Sequence, residues 1–185
     1  MKIFFVTGNR HKVFEARQIL SELEVDVELE AIDLKLKERQ LDEVEEVAAE
    51  AVREAYEVLK APVMVEDAGL FIKALRGFPG PYSSYVYRTI GNMGILKLME
   101  GVTDREATFK SAIAYCDRPS EVKVFVGEVL GDIALSERGD GWGFDPIFIP
   151  REGDGRTYAE MGPLKNKVSH RRRALEKLAR YLLSP

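Results

Sequence analysis

Apolar residues in the N-terminal third of the chain recur at the spacings of strands and helices. Met1–Val6 is apolar on both faces and predicts a buried strand, and the apolar stripe of Lys12–Leu23 predicts an amphipathic helix. A second strand is predicted over Val25–Leu34 and an acidic helix over Leu41–Lys60, which Pro62 ends. This alternation of strands and helices indicates an α/β fold.

The remainder of the chain changes to a β pattern and then returns to a helix. The predicted segments are a short strand over Val63–Val65 that ends in Glu66–Gly69, a rigid loop over Gly77–Pro81, a helix over Asn92–Glu100, two antiparallel strands over Ala107–Tyr115 and Val122–Leu135, a short strand over Ile147–Ile149, and a basic amphipathic helix over Val168–Leu183. We therefore expect one domain over residues 1–185, with two lobes on a mixed, twisted β-sheet flanked by helices. The active site is expected in the cleft between the lobes.

Composition and charge narrow the class of protein. The 185 residues are 45% hydrophobic and 31% charged, which is ordinary for a globular protein and excludes disordered or collagen-like chains. No apolar run approaches the roughly 20 residues that a membrane helix needs. The net charge of −4 argues against a nucleic-acid partner, and the single Cys116 excludes an internal disulfide. We expect a cytoplasmic protein with no membrane or nucleic-acid partner.

A polar turn, Thr7-Gly8-Asn9-Arg10-His11-Lys12, follows the first predicted strand. The N-terminus of a helix presents free backbone N–H groups and the positive end of the helix dipole, and Lys12 adds a cation. Gly8 would let the backbone approach a ligand, so the turn could hold phosphates. The same residues also fit a structural role, in which Gly8 makes the turn and Asn9 caps the helix.

Carboxylates and aromatic residues occupy two further candidate segments. Glu66 and Asp67 at the end of a strand would point into a cleft and offer the oxygen ligands that Mg²⁺ prefers, with Glu38 as a second acid. The Glu66–Gly69 sequence is also good turn chemistry. In the glycine-rich loop, Trp142 and Phe144 fit either a stacking platform for a planar ligand or core packing.

The segment before and inside the last predicted helix is basic. Lys165, His170 and Arg171 would place hydrogen-bond donors at the start of that helix, where anions and carbonyl oxygens could bind. A basic run is also typical of a solvated helix face, which is the simplest interpretation of Arg172 and Arg173.

Five motifs together resemble one family. They are Thr7-Gly8-Asn9-x-x-Lys12, Val65-Glu66-Asp67-Ala68-Gly69-Leu70, Gly77-Phe78-Pro79-Gly80, Gly143-Phe144-Asp145-Pro146-Ile147-Phe148, and Lys165-Asn166-x-x-Ser169-His170-Arg171-x-x-Ala174. In this order and along nearly the whole chain they are similar to the inosine/xanthosine triphosphate pyrophosphatases, enzymes that remove non-standard purine nucleotides.

The resemblance implies an Mg²⁺-dependent homodimer that cleaves ITP, dITP or XTP to the monophosphate and pyrophosphate. By position, it assigns the phosphates to Thr7, Gly8, Asn9, Arg10, His11 and Lys12; the metal to Glu38 and Asp67; the proton acceptor to Asp67; a backbone contact to Ala68; and the nucleotide pocket to Trp142, Gly143, Phe144, Asp145, Lys165, His170 and Arg171. Because the motif leaves the His11 position free, replacing His11 is expected to change little.

Other functions also fit parts of the sequence. A pyrophosphatase for pyrimidine or modified nucleotides would use a similar fold, and a regulatory nucleotide-binding protein would need the turn and the aromatic loop without Asp67 at a metal. A nucleic-acid-binding module would depend on the basic C-terminal helix, which the acidic net charge opposes.

Overall fold

Strands and helices alternate in the first third of the chain and strands dominate its middle, as the hydrophobic pattern predicts. The computed structural model describes residues 1–37, 39–119 and 121–184. The strands are β1 (Lys2–Val6), β2 (Glu28–Ile32), β3 (Val63–Ile72), β4 (Glu106–Cys116), β5 (Val122–Ile133) and β6 (Phe148–Pro150). The helices are α1 (Arg10–Glu22), α2 (Val44–Leu59), α3 (Ser83–Thr89), α4 (Gly91–Leu98), α5 (Tyr158–Met161) and α6 (His170–Leu183).

The strands form one six-stranded mixed sheet in the order β2-β1-β3-β4-β5-β6. Strands β1, β2 and β3 run parallel, whereas β3 through β6 pair antiparallel. The predicted mixed sheet is confirmed, and so is the antiparallel pairing of the two long middle strands. No helix within the described residues is long and apolar enough to cross a membrane.

Strand β3 is longer than predicted. The sequence favours a turn at Glu66–Gly69, but β4 pairs with β3 along its entire length from Val63 to Ile72, so the backbone stays extended. Long-range pairing here overrides local turn chemistry. The second half of β3 also packs closely on the following loop: a Cβ atom at Gly69 would lie 2.4 Å from the Gly80 carbonyl oxygen, so only glycine fits.

Apolar side chains form three buried clusters around this sheet. One joins β1, β3 and β4 to α1 and α6, and a second lies under α2 on the opposite face. The third surrounds the other end of the sheet, where Leu70 and Ile72 of β3 meet α4, β5 and the segment around Phe144. The clusters therefore form two packing regions, one toward each end of the sheet, and β3 and β4 contribute to both.

Helix α6 begins two residues later than predicted because a serine caps it. The Ser169 Oγ atom accepts the backbone N–H of Arg172 at 3.1 Å, which satisfies an amide at the start of the helix. The helix then packs closely on β5: a Cβ atom at Gly127 would lie 2.1 Å from the His170 carbonyl oxygen. This contact fixes the first turn of α6, which carries His170 and Arg171.

Candidate active site

The polar turn after β1 forms the N-terminus of α1. The Asn9 Oδ1 atom accepts the backbone N–H groups of His11 at 3.0 Å and Lys12 at 3.3 Å. The Asn9 backbone N–H donates to the Thr7 Oγ1 atom at 3.1 Å. The structural role predicted for Asn9 is thus confirmed. Gly8 and Arg10 are exposed, so solvent still reaches the positive end of the helix.

Contacts with β3 and with the end of β2 surround this turn. The Lys12 Nζ atom donates to the Glu66 backbone carbonyl at 3.1 Å, which holds the ammonium group beside β3. Asp33 follows β2, and its Oδ2 atom would lie 3.5 Å from a Cβ atom at Gly8. Because β1, β2 and β3 run parallel, Gly8, Asp33 and the Glu66-Asp67 pair lie near one another.

Glu66 and Asp67 are neighbours in a continuous strand, so their side chains face opposite sides of the sheet. Glu66 is 6% exposed, and its carboxylate accepts hydrogen bonds from Ser111 Oγ at 2.8 Å and Arg171 Nε at 2.9 Å. The prediction that both carboxylates point into a cleft is therefore wrong for Glu66. Asp67 is half-buried and lies on the same face of β3 as Val65, which packs in the cluster under α2.

A buried charge cluster connects four segments of the chain. The Lys165 Nζ atom lies 2.8 Å from Glu15 Oε1 and 2.7 Å from Asp145 Oδ2. Arg171 bridges Glu15 and Glu66 through its Nη1 and Nε atoms. The Arg171 and Lys165 side chains are 1% and 5% exposed, so the buried charge of each depends on these carboxylates. We call Glu15, Glu66, Asp145, Lys165 and Arg171 the buried charge cluster.

The pKa values in this cluster reflect competition between burial and charge. Burial alone would raise the pKa of Glu15, but Arg171 and Lys165 outweigh it and lower that pKa to about 2. Burial also opposes ionisation of Glu66, and Arg171 and Lys12 hold its pKa below the ordinary value. At Asp145, burial outweighs the attraction of Lys165, so the pKa is raised. Glu15 and Glu66 are thus the anions that hold Arg171.

Trp142 lies on the edge of this cluster. Its Nε1–H group donates to Glu15 Oε1 at 2.9 Å. The Lys165 Nζ atom lies 4.9 Å and the Arg171 Cζ atom 5.4 Å from the ring centroid. The His11 ring stacks on the indole with centroids 5.2 Å apart and planes 8° from parallel. The free position of His11 in the motif gives no sign of this contact, and the expectation that replacing His11 changes little stays a prediction.

The loop that carries Trp142 is held in place by helix α4, which belongs to the packing region around Leu70 and Ile72. Asn92 in α4 donates through Nδ2 to the Gly143 carbonyl at 3.1 Å, and Gly143 adopts a φ of +60°, which favours glycine. Phe144 is 4% exposed and packs edge-on against Tyr87 at 5.6 Å between centroids. Of the two aromatics predicted around a base, Phe144 is a core residue and Trp142 remains at the surface of the site.

His170 is buried among aromatic rings. Its imidazole stacks on Phe109 with centroids 4.1 Å apart and lies 5.8 Å from the Tyr158 ring. Burial, followed by the charges of Arg171 and Lys165, lowers the pKa of His170 well below 6.5, so the ring is neutral at pH 7. Its Nδ1 atom has no hydrogen-bond partner among the residues that the structure describes.

Glu38, expected to bind a metal, lies outside the described residues. Ala68 is half-buried and pairs with Ser111 across β3 and β4. Within the described residues, no cluster of three or more histidine, cysteine or acidic side chains could hold a metal by itself.

Glu15 is the central residue that sequence reasoning missed. It accepts hydrogen bonds from Trp142, Lys165 and Arg171, yet it reads as one of many acidic residues in an amphipathic helix. A signal was available: Glu15 stands next to Ala16 and four residues before Ile19, within the apolar stripe of α1. A charge in such a stripe needs a buried partner.

Comparisons with known proteins show the family to which the chain belongs. The model of the Ham1 family matches residues 3–181. The chain belongs to the Ham1 family. A dITP/XTP pyrophosphatase of Methanopyrus kandleri is 51% identical over 183 residues, which cover 98% of this chain and 96% of the relative. A dITP/XTP pyrophosphatase of Thermococcus kodakarensis is 48% identical over 184 residues, covering 98% and 97%.

Solved structures of Ham1 proteins share the fold. The HAM1 protein of Coxiella burnetii is 27% identical with a TM-score of 0.85, and the alignment covers 98% of both chains. The nucleoside-triphosphatase, or dITP/XTP pyrophosphatase, of Mycobacterium abscessus is 32% identical with a TM-score of 0.76 over 98% of this chain and 100% of that one. The α/β fold inferred from sequence is thus confirmed by family members.

Proposed function

We propose that this chain hydrolyses non-standard purine nucleoside triphosphates, namely ITP, dITP and XTP, to the monophosphate and pyrophosphate. One observation carries the proposal. Lys12 and Glu15 lie one turn apart on α1; Lys12 contacts the Glu66 carbonyl, and Glu15 holds Trp142. The same helix therefore connects an anion-binding turn to an aromatic platform. The relatives named dITP/XTP pyrophosphatase support the same assignment.

Different residues of the chain bind the phosphates and accept the proton in this reaction. The N-terminus of α1 and the Lys12 ammonium bind phosphate oxygens, because both present positive charge to the exposed turn. Asp67 accepts the proton of the attacking water while the water oxygen bonds to the α-phosphorus, and the bond from that phosphorus to the departing pyrophosphate breaks. Glu66, committed to Arg171 and Ser111, does not compete for that role.

Mg²⁺ is part of this proposal. The donors near the turn suit it in kind, because Asp33 follows β2, Asp67 lies in β3 just beyond its parallel pairing with β1, and hard oxygen ligands such as these carboxylates are what Mg²⁺ requires. Asp67 and Glu38 would hold it, as the family resemblance implies. When bound, it would neutralise triphosphate charge during cleavage.

Base selection is assigned to the first turn of α6. Inosine and xanthosine carry an oxygen at C6, where adenine carries an amino group. Arg171 uses Nε and Nη1 for carboxylates, so its Nη2 group has no hydrogen-bond partner among the described residues and can donate to that oxygen. The neutral His170 ring contributes one further donor. ATP would leave these donors unpaired, a loss of about 1–3 kcal/mol each. GTP shares the C6 oxygen and is not rejected by this argument.

Two alternatives remain as outcomes of one experiment. Purified protein is incubated with ITP, dITP, XTP, ATP, GTP and pyrimidine triphosphates in the presence of Mg²⁺, and the products are identified. We expect inosine and xanthosine nucleotides to be cleaved to monophosphate and pyrophosphate. Preference for pyrimidine or modified nucleotides would assign a different substrate class, and tight binding without turnover would indicate a nucleotide-binding regulator.

The role of Asp67 has its own test. Asp67→Asn removes the proton acceptor and a metal ligand together, so kcat should fall by several orders of magnitude while nucleotide affinity changes much less. Near-normal turnover would remove Asp67 from the mechanism. If the native protein instead released inorganic phosphate and the nucleoside diphosphate, the attack would occur at the terminal phosphorus.

A homodimer that clears the cytoplasmic nucleotide pool completes the proposal. Helix α3 and the loop before it expose several aromatic side chains: Phe78, Tyr82, Tyr85 and Tyr87 are 39–58% exposed. Such residues are enriched in protein interfaces. Sedimentation of the native protein should give a dimer at micromolar concentration, and Tyr85→Glu should shift it toward monomer. A native monomer at that concentration would end the interface assignment.

A further inference from the structure

His11 is the exposed member of the group that surrounds the Trp142 ring. The Lys165 ammonium and the Arg171 guanidinium also lie over this ring, but both are fixed by buried ion pairs. His11 is the second residue of α1 and is exposed. Its side chain can therefore turn away from Trp142 without breaking the helix or the buried charge cluster.

We infer that the nucleobase of the substrate displaces His11 from Trp142, so that His11 is a removable cover on the base site. The inference rests on the proposed function, which places the base on Trp142. Aromatic surfaces in contact lie about 3.5 Å apart, so a base between two rings requires planes about 7 Å apart. The His11 and Trp142 centroids are only 5.2 Å apart. A base that stacks on this face must replace the imidazole.

The exchange affects ligands according to whether they carry a base. Breaking a stacked aromatic pair weakens the binding of every such ligand by about two- to tenfold. A ligand that occupies only the N-terminus of α1, such as pyrophosphate, leaves the stack intact. Because the monophosphate product also carries the base, return of His11 to Trp142 favours product release as well.

The test compares inosine monophosphate and inorganic pyrophosphate as probes, with dissociation constants from calorimetry. Three variants are matched on α1. His11→Ala removes the ring, His11→Phe keeps a ring that can stack, and Phe14→Ala removes an exposed aromatic residue three positions along the same helix, 63% exposed and outside the site. Trp142 is the only tryptophan of the chain, so its fluorescence reports whether the stack is present.

His11→Ala should bind inosine monophosphate about two- to tenfold more tightly than the native protein and pyrophosphate equally well. His11→Phe and Phe14→Ala should bind both probes within about twofold of the native values. Unchanged or weaker binding of inosine monophosphate to His11→Ala, in a protein whose Trp142 fluorescence shows that the stack is lost, would overturn the inference. If the base does not bind on Trp142 at all, Trp142→Ala will leave inosine monophosphate binding unchanged. That result separates failure of the proposed function from failure of the inference about His11.

Discussion

The turn at Thr7–Lys12 and the buried charge cluster meet on one helix but are built in opposite ways. The turn consists of contiguous residues, is open to solvent, and owes its positive character to backbone N–H groups and one lysine. The cluster collects side chains from distant segments, is almost closed to solvent, and pairs two cations with three carboxylates. The turn suits ligands that displace its water molecules, whereas the ion pairs of the cluster hold its side chains rigidly in place.

Under the proposed function, this difference would let one site bind a flexible, highly charged group and still distinguish the edges of different bases. A triphosphate is recognised by charge, for which an exposed helix N-terminus is sufficient. Discrimination between a carbonyl oxygen and an amino group depends on donors held in fixed positions. Arg171 is fixed because Glu15 and Glu66 each hold one part of its guanidinium group.

The largest expected effect is on stability, after removal of a cation from the cluster. Arg171→Met leaves Glu15 and Glu66 buried with their main partner gone, so the free energy of unfolding should fall by about 3–5 kcal/mol. Urea denaturation measures the change. Arg180→Met on the exposed side of the same helix is the control and should stay within about 0.5 kcal/mol of the native protein. Equal small effects would show that the cluster is not a stabilising unit.

Acid should weaken the buried charge cluster. The pKa of Glu15 is lowered from 4.5 to about 2, so its contribution is complete above pH 4.5 and is lost as pH falls toward 2. The contribution is about 3 kcal/mol. His170, whose pKa is also lowered, makes the unfolded state more favourable below about pH 6.5 in every variant.

The comparison that isolates Glu15 is the native protein against Glu15→Gln. The free energy of unfolding of the native protein should decline more steeply between pH 4.5 and 2 than that of the variant. Parallel curves for the two proteins over that interval would contradict the assignment of this carboxylate to Arg171 and Lys165.

A smaller effect is expected at the turn, and on binding rather than folding. Lys12→Ala should weaken the binding of inosine triphosphate by about tenfold or more and that of the monophosphate far less, because the proposed function assigns a charged hydrogen bond from Lys12 to the outer phosphates. Calorimetry with the inactive Asp67→Asn background avoids turnover. If both ligands lose affinity equally, Lys12 does not lie at the outer phosphates.

The sequence predicted the turn better than the cluster. Asn9 and its neighbours act within a few positions of one another, so the capping pattern is visible in consecutive residues. Glu15 and Arg171, by contrast, are 156 positions apart and meet only because α1 and α6 pack on the same face of the sheet. No local pattern shows that pairing.

What the sequence did not predict about the fold has the same cause, because local patterns do not show long-range contacts. Glu66–Gly69 has good turn chemistry, but pairing with β4 keeps it extended and sends Glu66 and Asp67 to opposite faces. For Phe144 the sequence left a stacking platform and core packing open, and only the fold shows that the apolar cluster near Tyr87 buries it. Strand order and core membership depend on the whole chain, whereas the periodicity of single elements does not.

The most direct test of separate roles for Lys12 in phosphate binding and Arg171 in base selection is the ratio of kcat/KM for ITP to that for ATP. This ratio is measured in three proteins: native, Lys12→Ala and Arg171→Lys. Arg171→Lys keeps the charge but loses the planar group of donors. We predict that Lys12→Ala lowers both values and leaves the ratio unchanged, while Arg171→Lys narrows the ratio by about tenfold or more. A ratio that changes with Lys12 and not with Arg171 would contradict the account.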